Sequence, residues 1–192
     1  MLKWRNHGNL PVPMVTSHTI AEKEQQMSKS DSTLTFERCR ELFNYDPDTG
    51  IITNRVYRNF RSIAGKIVGS DDGKGYLHMR VDYKMYQNHR VAWLWFYGEW
   101  PSAHVDHIDG VRDNNRIANL RDVPQIINQQ NRRDPRVGSA SQIMGVRLVK
   151  GSWQSRIYFH KREWILGYFN TPEEAHAAYL GAKRLFHPGC TI

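Results

Sequence analysis

The chain has 192 residues, with 27 Lys/Arg against 19 Asp/Glu, a formal net charge of +8 and a pI near 9.6. That length suits one ordinary domain or two small ones, and the charge favours a polyanionic partner, most often nucleic acid. Cys39 and Cys190 are the only cysteines, and the longest apolar run, 91–97, is well short of membrane length, which argues against a disulfide framework, a zinc-cysteine site and a membrane span, and for a reducing cytoplasm.

Residues 1–33 lack the apolar core of a secretory signal. They are polar from Thr16 to Ser32 and read as a flexible lead-in. A first domain is expected over 34–135, opening with a short helix over 35–43. Asp46-Pro47-Asp48-Thr49-Gly50 then reads as a turn into a strand around Ile51. Gly65, Gly69, Gly73 and Gly75 punctuate further strands. Over 76–81, Leu77, Met79 and Val81 alternate with His78 and Arg80, the pattern of a half-buried strand. Asn88 is placed to cap a helix over 89–97 that Gly98 stops, with Trp93, Leu94, Phe96 and Tyr97 making it a core element.

Residues 104–134 read as strand, long polar loop, short strand and helix, with Pro124 in the first helical turn and Asp134-Pro135 ending it. Residues 136–141 look like a linker. A second small domain follows over 142–192, with strands over 144–149, 153–159 and 163–169. Its tight turns are Lys150-Gly151 and His160-Lys161, and Thr171-Pro172-Glu173-Glu174 starts a helix as a capping box. Ala175, Ala178, Tyr179, Ala182 and Phe186 share one face of that helix. The fold class is therefore α+β. Residues 136–192 carry eight Lys/Arg against three Asp/Glu, whereas 104–135 carry five of each. A basic grip beside an acid-containing site is the natural reading.

The chemistry concentrates in Asp106-His107, Asn119 and Asn128. Phosphodiester cleavage needs a nucleophile, stabilisation of charge on the phosphate and help for the leaving oxygen. A hard divalent cation held by oxygen ligands supplies the last two. Asp106 offers a carboxylate and Asn128 an amide oxygen. His107, with an ordinary pKa near 6.5, can take a proton from water. Adjacent strand residues face opposite ways, so Asp106 and His107 converge only if the strand ends there, as Asp109-Gly110 suggests. Asn119 is placed to hold the loop and orient His107 through its backbone. His104 competes as the base but lacks an adjacent carboxylate. His89 and Arg90 are candidates for a supporting or DNA-contacting role, with a core-facing histidine as the plainer reading of His89.

This text resembles the HNH endonuclease family, in the branch of phage and intron-encoded homing enzymes. The resemblance is carried by Asn88-His89-Arg90-Val91-Ala92-Trp93, Val105-Asp106-His107-Ile108-Asp109-Gly110, Asp113-Asn114-Asn115-Arg116, Asn119-Leu120-Arg121 and Asn128-Gln129-Gln130-Asn131. It implies a ββα-metal core over about 104–134, with His107 as general base, Asn119 as the middle asparagine, and Asp106 and Asn128 as metal ligands. The last position is more often His in the family, so the resemblance implies an H-N-N variant. That leaves nicking and double-strand cutting both open. Mg²⁺ is the cation expected, with Mn²⁺ as the alternative.

Residues 144–186 resemble an AP2 domain through Gly145-Val146-Arg147, Trp153-Gln154-Ser155-Arg156-Ile157, Leu166-Gly167-Tyr168-Phe169-Asn170-Thr171-Pro172-Glu173-Glu174-Ala175 and Ala178-Tyr179. The resemblance implies a three-stranded antiparallel sheet on one helix, with one sheet face in the DNA major groove. Alternation divides the residues the same way: Trp153, Ser155, Ile157 and Phe159 toward the helix, and Gln154, Arg156 and Tyr158 outward beside Arg147 and Lys150. Arg pairs bidentately with guanine and Gln with adenine. Arg132 and Arg133 join this DNA-contact set. The expected partner is double-stranded DNA, engaged by a monomer or weak dimer. RNA is disfavoured because a sheet does not fit the A-form major groove. The competing reading is a non-catalytic DNA-binding regulator with a degenerate nuclease core.

Overall fold

A computed structural model of the protein describes residues 34–135, 138 and 141–192. The expected lead-in lies outside the described residues, as do 136, 137, 139 and 140 of the expected linker. Helix α1 (Phe36–Leu42) starts where the Thr35 hydroxyl accepts the Arg38 N–H at 3.2 Å, one of the donors a helix start leaves unpaired. The chain then enters strand β1 (Phe43–Tyr45), which pairs antiparallel with β2 (Ile52–Asn54). In the turn between them, Asp46 Oδ1 accepts the Asp48 N–H at 2.9 Å. Gly50 has φ +76°, and a Cβ there would lie 2.5 Å from the Arg116 backbone nitrogen. This turn therefore rests directly on the loop that follows His107.

Strands β3 (Ser70–Asp71), β4 (Leu77–Val81) and β5 (Lys84–Gln87) form a small antiparallel sheet. The expected run of strands between the glycines reduces to β3. Gly65, Gly69, Gly73 and Gly75 instead hold positive φ in loops. Helix α2 (Asn88–Tyr97) follows and stops at Gly98. Asn88 does not cap it: the cap position is Gln87, and the buried Asn88 amide donates to the Val68 carbonyl at 2.8 Å. A buried amide meets its partner where packing offers one, here in the neighbouring loop. Val91, Ala92 and Leu94 face the core, with Cys39, Leu42, Phe43, Ile52, Met79 and Val81. Phe96 and Tyr97 lie about half exposed on the other side of the helix, against the expectation that they were core.

Strands β6 (His104–His107) and β7 (Leu120–Val123) form a two-stranded hairpin that leads into helix α3 (Gln125–Gln130). Pro124 occupies the cap position rather than the first turn, and α3 ends at Asn131, short of Asp134-Pro135. The chain closes with an antiparallel sheet in the order β10-β9-β8, formed by β8 (Val146–Val149), β9 (Ser152–Phe159) and β10 (Arg162–Phe169). Its turns at Lys150-Gly151 and His160-Lys161 all have positive φ, the twist that tight hairpins favour. Helix α4 (Pro172–Phe186) begins with the Thr171 hydroxyl accepting the Glu174 N–H at 3.2 Å. It packs on this sheet and buries Ala175 and Ala182, with Val146 and Ile157 buried on the strands.

Candidate active site

The β6–β7 register sets Asp106 opposite Arg121 and His107 opposite Leu120. Residues opposed across an antiparallel ladder share a face, so Asp106 meets Arg121. Arg121 Nη2 and Nε donate to the same oxygen, Asp106 Oδ2, at 2.7 and 2.9 Å. Asn131 Nδ2 adds a third bond to Oδ2 at 3.1 Å and reaches the His107 carbonyl at 2.8 Å. The other carboxylate oxygen, Oδ1, has one long contact, 3.3 Å from Asn131 Nδ2. Asp106 is 7% exposed, and three donors on one oxygen offset much of the cost of burying its charge.

His107 ends its strand, and Gly110 N–H turns back onto its carbonyl at 2.9 Å. The ring is 4% exposed. Its Nε2 lies 3.1 Å from Asn115 Oδ1, itself buried. With Oδ1 as the acceptor, Nε2 carries the proton and Nδ1 is left to accept one. Burial pushes the His107 pKa below the ordinary histidine value, opposed by the Asn115 bond and the Asp109, Asp106 and Asp113 carboxylates. The imidazole is accordingly neutral at physiological pH, the state a general base requires.

Asp106, His107 and Asn128 line one cavity of about 290 Å³, rimmed by Arg112, Arg132 and Arg133. The strand end lets the neighbours at 106 and 107 reach this space together. The Asn128 side chain makes no hydrogen bond among the described residues. Its amide oxygen and Asp106 Oδ1 are oxygen donors with capacity to spare. Among the described residues no cluster of three or more His, Cys, Asp or Glu surrounds the site. This set fits Mg²⁺, which keeps several waters and takes the rest of its ligands from carboxylates and substrate phosphates.

Asn119 stands behind the site rather than in it. Its Oδ1 accepts the Asp109 N–H at 3.0 Å, its Nδ2 donates to Asp109 Oδ1 and the Asn114 carbonyl, and its own carbonyl accepts the Ile108 N–H at 2.9 Å. It clamps the loop beside His107, while Asn115 is the residue that touches the ring. The hairpin of β1 and β2 braces the same loop: Tyr45 donates its hydroxyl to the Asn115 carbonyl at 2.6 Å, and Arg116 Nε donates to the Asp48 carbonyl at 2.7 Å. Arg121, Asn115 and Asn131 carry no role in the sequence reading, although all three fall within its motifs. The one signal for Arg121 was its place in the strand opposite Asp106.

His89 is buried, its ring edge-on to His107 at 5.0 Å between centroids and 5.6 Å from Tyr76. Burial, then His107 and Arg90, pushes its pKa down to about 3. A depressed histidine favours the neutral form on folding. Its contribution to stability is present above the unfolded pKa near 6.5 and is lost as pH falls from there toward 3. We expect roughly 2 kcal/mol less stability at about pH 5 than at neutral pH. Urea unfolding midpoints at the two pH values check this, and His89→Phe should shrink the difference to the part that His107, likewise depressed by burial, contributes. An unchanged wild-type midpoint would contradict it. Arg90 donates to the Ala103 carbonyl at 3.3 Å and lies over Trp100, so it ties α2 to the approach to β6. His104 is exposed at the strand start and does not line the cavity.

Of the outward residues assigned to DNA contact, Lys150 sits exposed in a hairpin turn and Tyr158 is 65% exposed. Arg156 and Arg147 both pair with Glu163, at 2.5 and 3.9 Å. Gln154 corrects the expectation. It lies in the cross-strand row Arg147–Gln154–Tyr168, but it is 2% exposed. Its amide is engaged by Arg147 Nε and by the Tyr168 hydroxyl, both at 2.7 Å. The two longer side chains of the row cover it. Arg132 and Arg133 line the cavity, and their donors reach backbone carbonyls of Asp134, Pro135 and Ile108.

Residues 86–130 match the family model described as HNH endonuclease, a span from the end of β5 through α2, the β6–β7 hairpin and α3. The similarity supports a nuclease with DNA as its substrate, of a kind that is generally metal-dependent, and it does not extend to the C-terminal sheet. No curated protein and no solved structure matches the chain. Among the described residues no helix is long and apolar enough to cross a membrane.

Proposed function

We propose that the protein is a metal-dependent DNA endonuclease of the phage or mobile-element homing type, with its C-terminal sheet holding duplex DNA. The carrying observation is that Asp106, His107 and Asn128 share one arginine-rimmed cavity within the segment similar to HNH endonucleases. Asp106 and Asn128 are the residues that would hold the cation, whose chemistry there is to neutralise charge on the phosphate and the leaving oxygen. His107 takes the proton of the attacking water at Nδ1. Asn115 fixes the ring, and Asn119 fixes the loop that presents it. Arg132 and Arg133 at the rim favour a phosphate over a neutral ligand.

Supercoiled plasmid incubated with the protein should give nicked circles in Mg²⁺ and none in EDTA. One chain with one such centre cuts a single strand before it cuts two. The alternative, a non-catalytic DNA-binding regulator, draws on the hold that Arg121 keeps on Asp106, which occupies the ligand carboxylate. Absence of nicked or linear product with either Mg²⁺ or Mn²⁺, while DNA is bound, would favour the regulator.

A further inference from the structure

Residues 189–191 follow α4 and reach back to the partners of Asp106. The Arg121 Nη2 that donates to Asp106 Oδ2 also donates to the Gly189 carbonyl at 2.7 Å. The Thr191 hydroxyl lies 2.5 Å from both the Ile108 carbonyl and Asn131 Oδ1, and it accepts from Arg133 Nη2 at 3.0 Å. A hydroxyl has one proton, so it donates to one of these two carbonyl oxygens. The contact on Asn131 Oδ1 turns Nδ2 of the same amide toward Asp106 and the His107 carbonyl.

The same segment also grips the helix that carries Asn128. Gly189 N–H donates to Gln130 Oε1 at 3.0 Å. Gly189 is buried, and a Cβ there would lie 2.3 Å from the Ile127 carbonyl oxygen and 3.0 Å from Gln130 Cβ. No larger residue can lie this close to α3 without displacing backbone. Above it on α4, the buried Lys183 donates its ammonium to the Arg132 carbonyl. Thus one short stretch touches Arg121, Asn131 and α3, the three supports of the two oxygen donors. It lies outside the span that matches the HNH endonuclease family.

We propose that residues 189–191 are a positioning strap for Asp106 and Asn128, through which the C-terminal part of the chain sets the affinity of the cation site. Gly189 and Thr191 touch neither substrate nor ion; they act through Arg121, Asn131 and α3. The identity of the ligands rests on the nuclease reading, whereas the contacts of the strap do not.

The test uses the full chain and the variants Gly189→Ala, Thr191→Val and Thr191→Ser. Mn²⁺ binding is followed by the electron paramagnetic resonance signal of the free ion, with and without duplex DNA, beside the Mg²⁺ dependence of plasmid nicking. Gly189→Ala and Thr191→Val should weaken Mn²⁺ binding about tenfold, at the lower end of the roughly 10–100-fold effect of an outer-shell partner. Both should raise the Mg²⁺ requirement for nicking. Thr191→Ser, which keeps the hydroxyl, should bind as the wild type does. Thr191→Val leaves the buried Asn131 Oδ1 without its hydroxyl, which lowers the melting temperature. Mn²⁺ binding is therefore read well below the melting temperature of each variant, which separates positioning from a merely structural loss. Unchanged Mn²⁺ affinity in both Gly189→Ala and Thr191→Val would overturn the proposal, as would a wild-type chain that binds no Mn²⁺. A wild type that binds Mn²⁺ yet nicks nothing would refute the nuclease reading, while the strap would still be upheld by weaker Mn²⁺ binding in the two variants.

Discussion

Replacing His107 with alanine should abolish plasmid nicking while leaving DNA affinity unchanged. General-base assistance is worth about 10²–10⁴ in rate, and among the described residues no second imidazole is placed to substitute. His89, the nearest, is buried and edge-on to His107, and His104 lies outside the cavity. The substitution also leaves the buried Asn115 Oδ1 without its ring partner, at a cost of about 1–3 kcal/mol in stability. A melting curve must therefore accompany the assay. Added imidazole can enter the space vacated by the ring and should restore part of the rate, an effect that a purely structural loss would not show. Full cutting by His107→Ala would remove His107 from the mechanism.

Asp106→Ala should lose both cleavage and stability, and the two losses should be separable. Cleavage should fall by more than the roughly 10–100-fold that loss of an outer partner costs, and the response to Mg²⁺ should go with it. Stability falls because the Arg121 guanidinium, with 24% of its side chain exposed, keeps its charge and loses its counter-ion. Breaking a fully buried pair costs about 3–5 kcal/mol, and the partial exposure of Arg121 places this case toward or below the lower end. The double variant Asp106→Ala/Arg121→Met removes the orphaned charge. It should regain most of the lost melting temperature and none of the cleavage. Recovery of cleavage in the double variant would mean that Asp106 serves the fold and holds no cation.

Much of the fold was legible because local chemistry decided it. The Thr171 cap, the positive-φ hairpin turns and the alternation over Leu77–Val81 each involve residues a few positions apart. What escaped depended on partners far along the chain. Asn88 is pulled from a capping role by the Val68 carbonyl. Gln154 faces the way its alternation indicated, yet its longer neighbours in the row cover it. The cavity residues Asp106, His107 and Asn128 stood out by residue type and spacing. Arg121, Asn115 and Asn131 did not, because an arginine in a basic chain or an asparagine near a turn looks ordinary until the register shows what it faces.

The turn at Gly50, resting on the backbone of residues 115 and 116, limits how this nuclease-like segment could be transplanted. A graft of residues 86–130 alone would carry the proposed base and both proposed oxygen ligands but leave their loop without its abutment. The smallest portable cassette therefore begins at α1, some fifty residues before the stretch in which the recognisable motif lies.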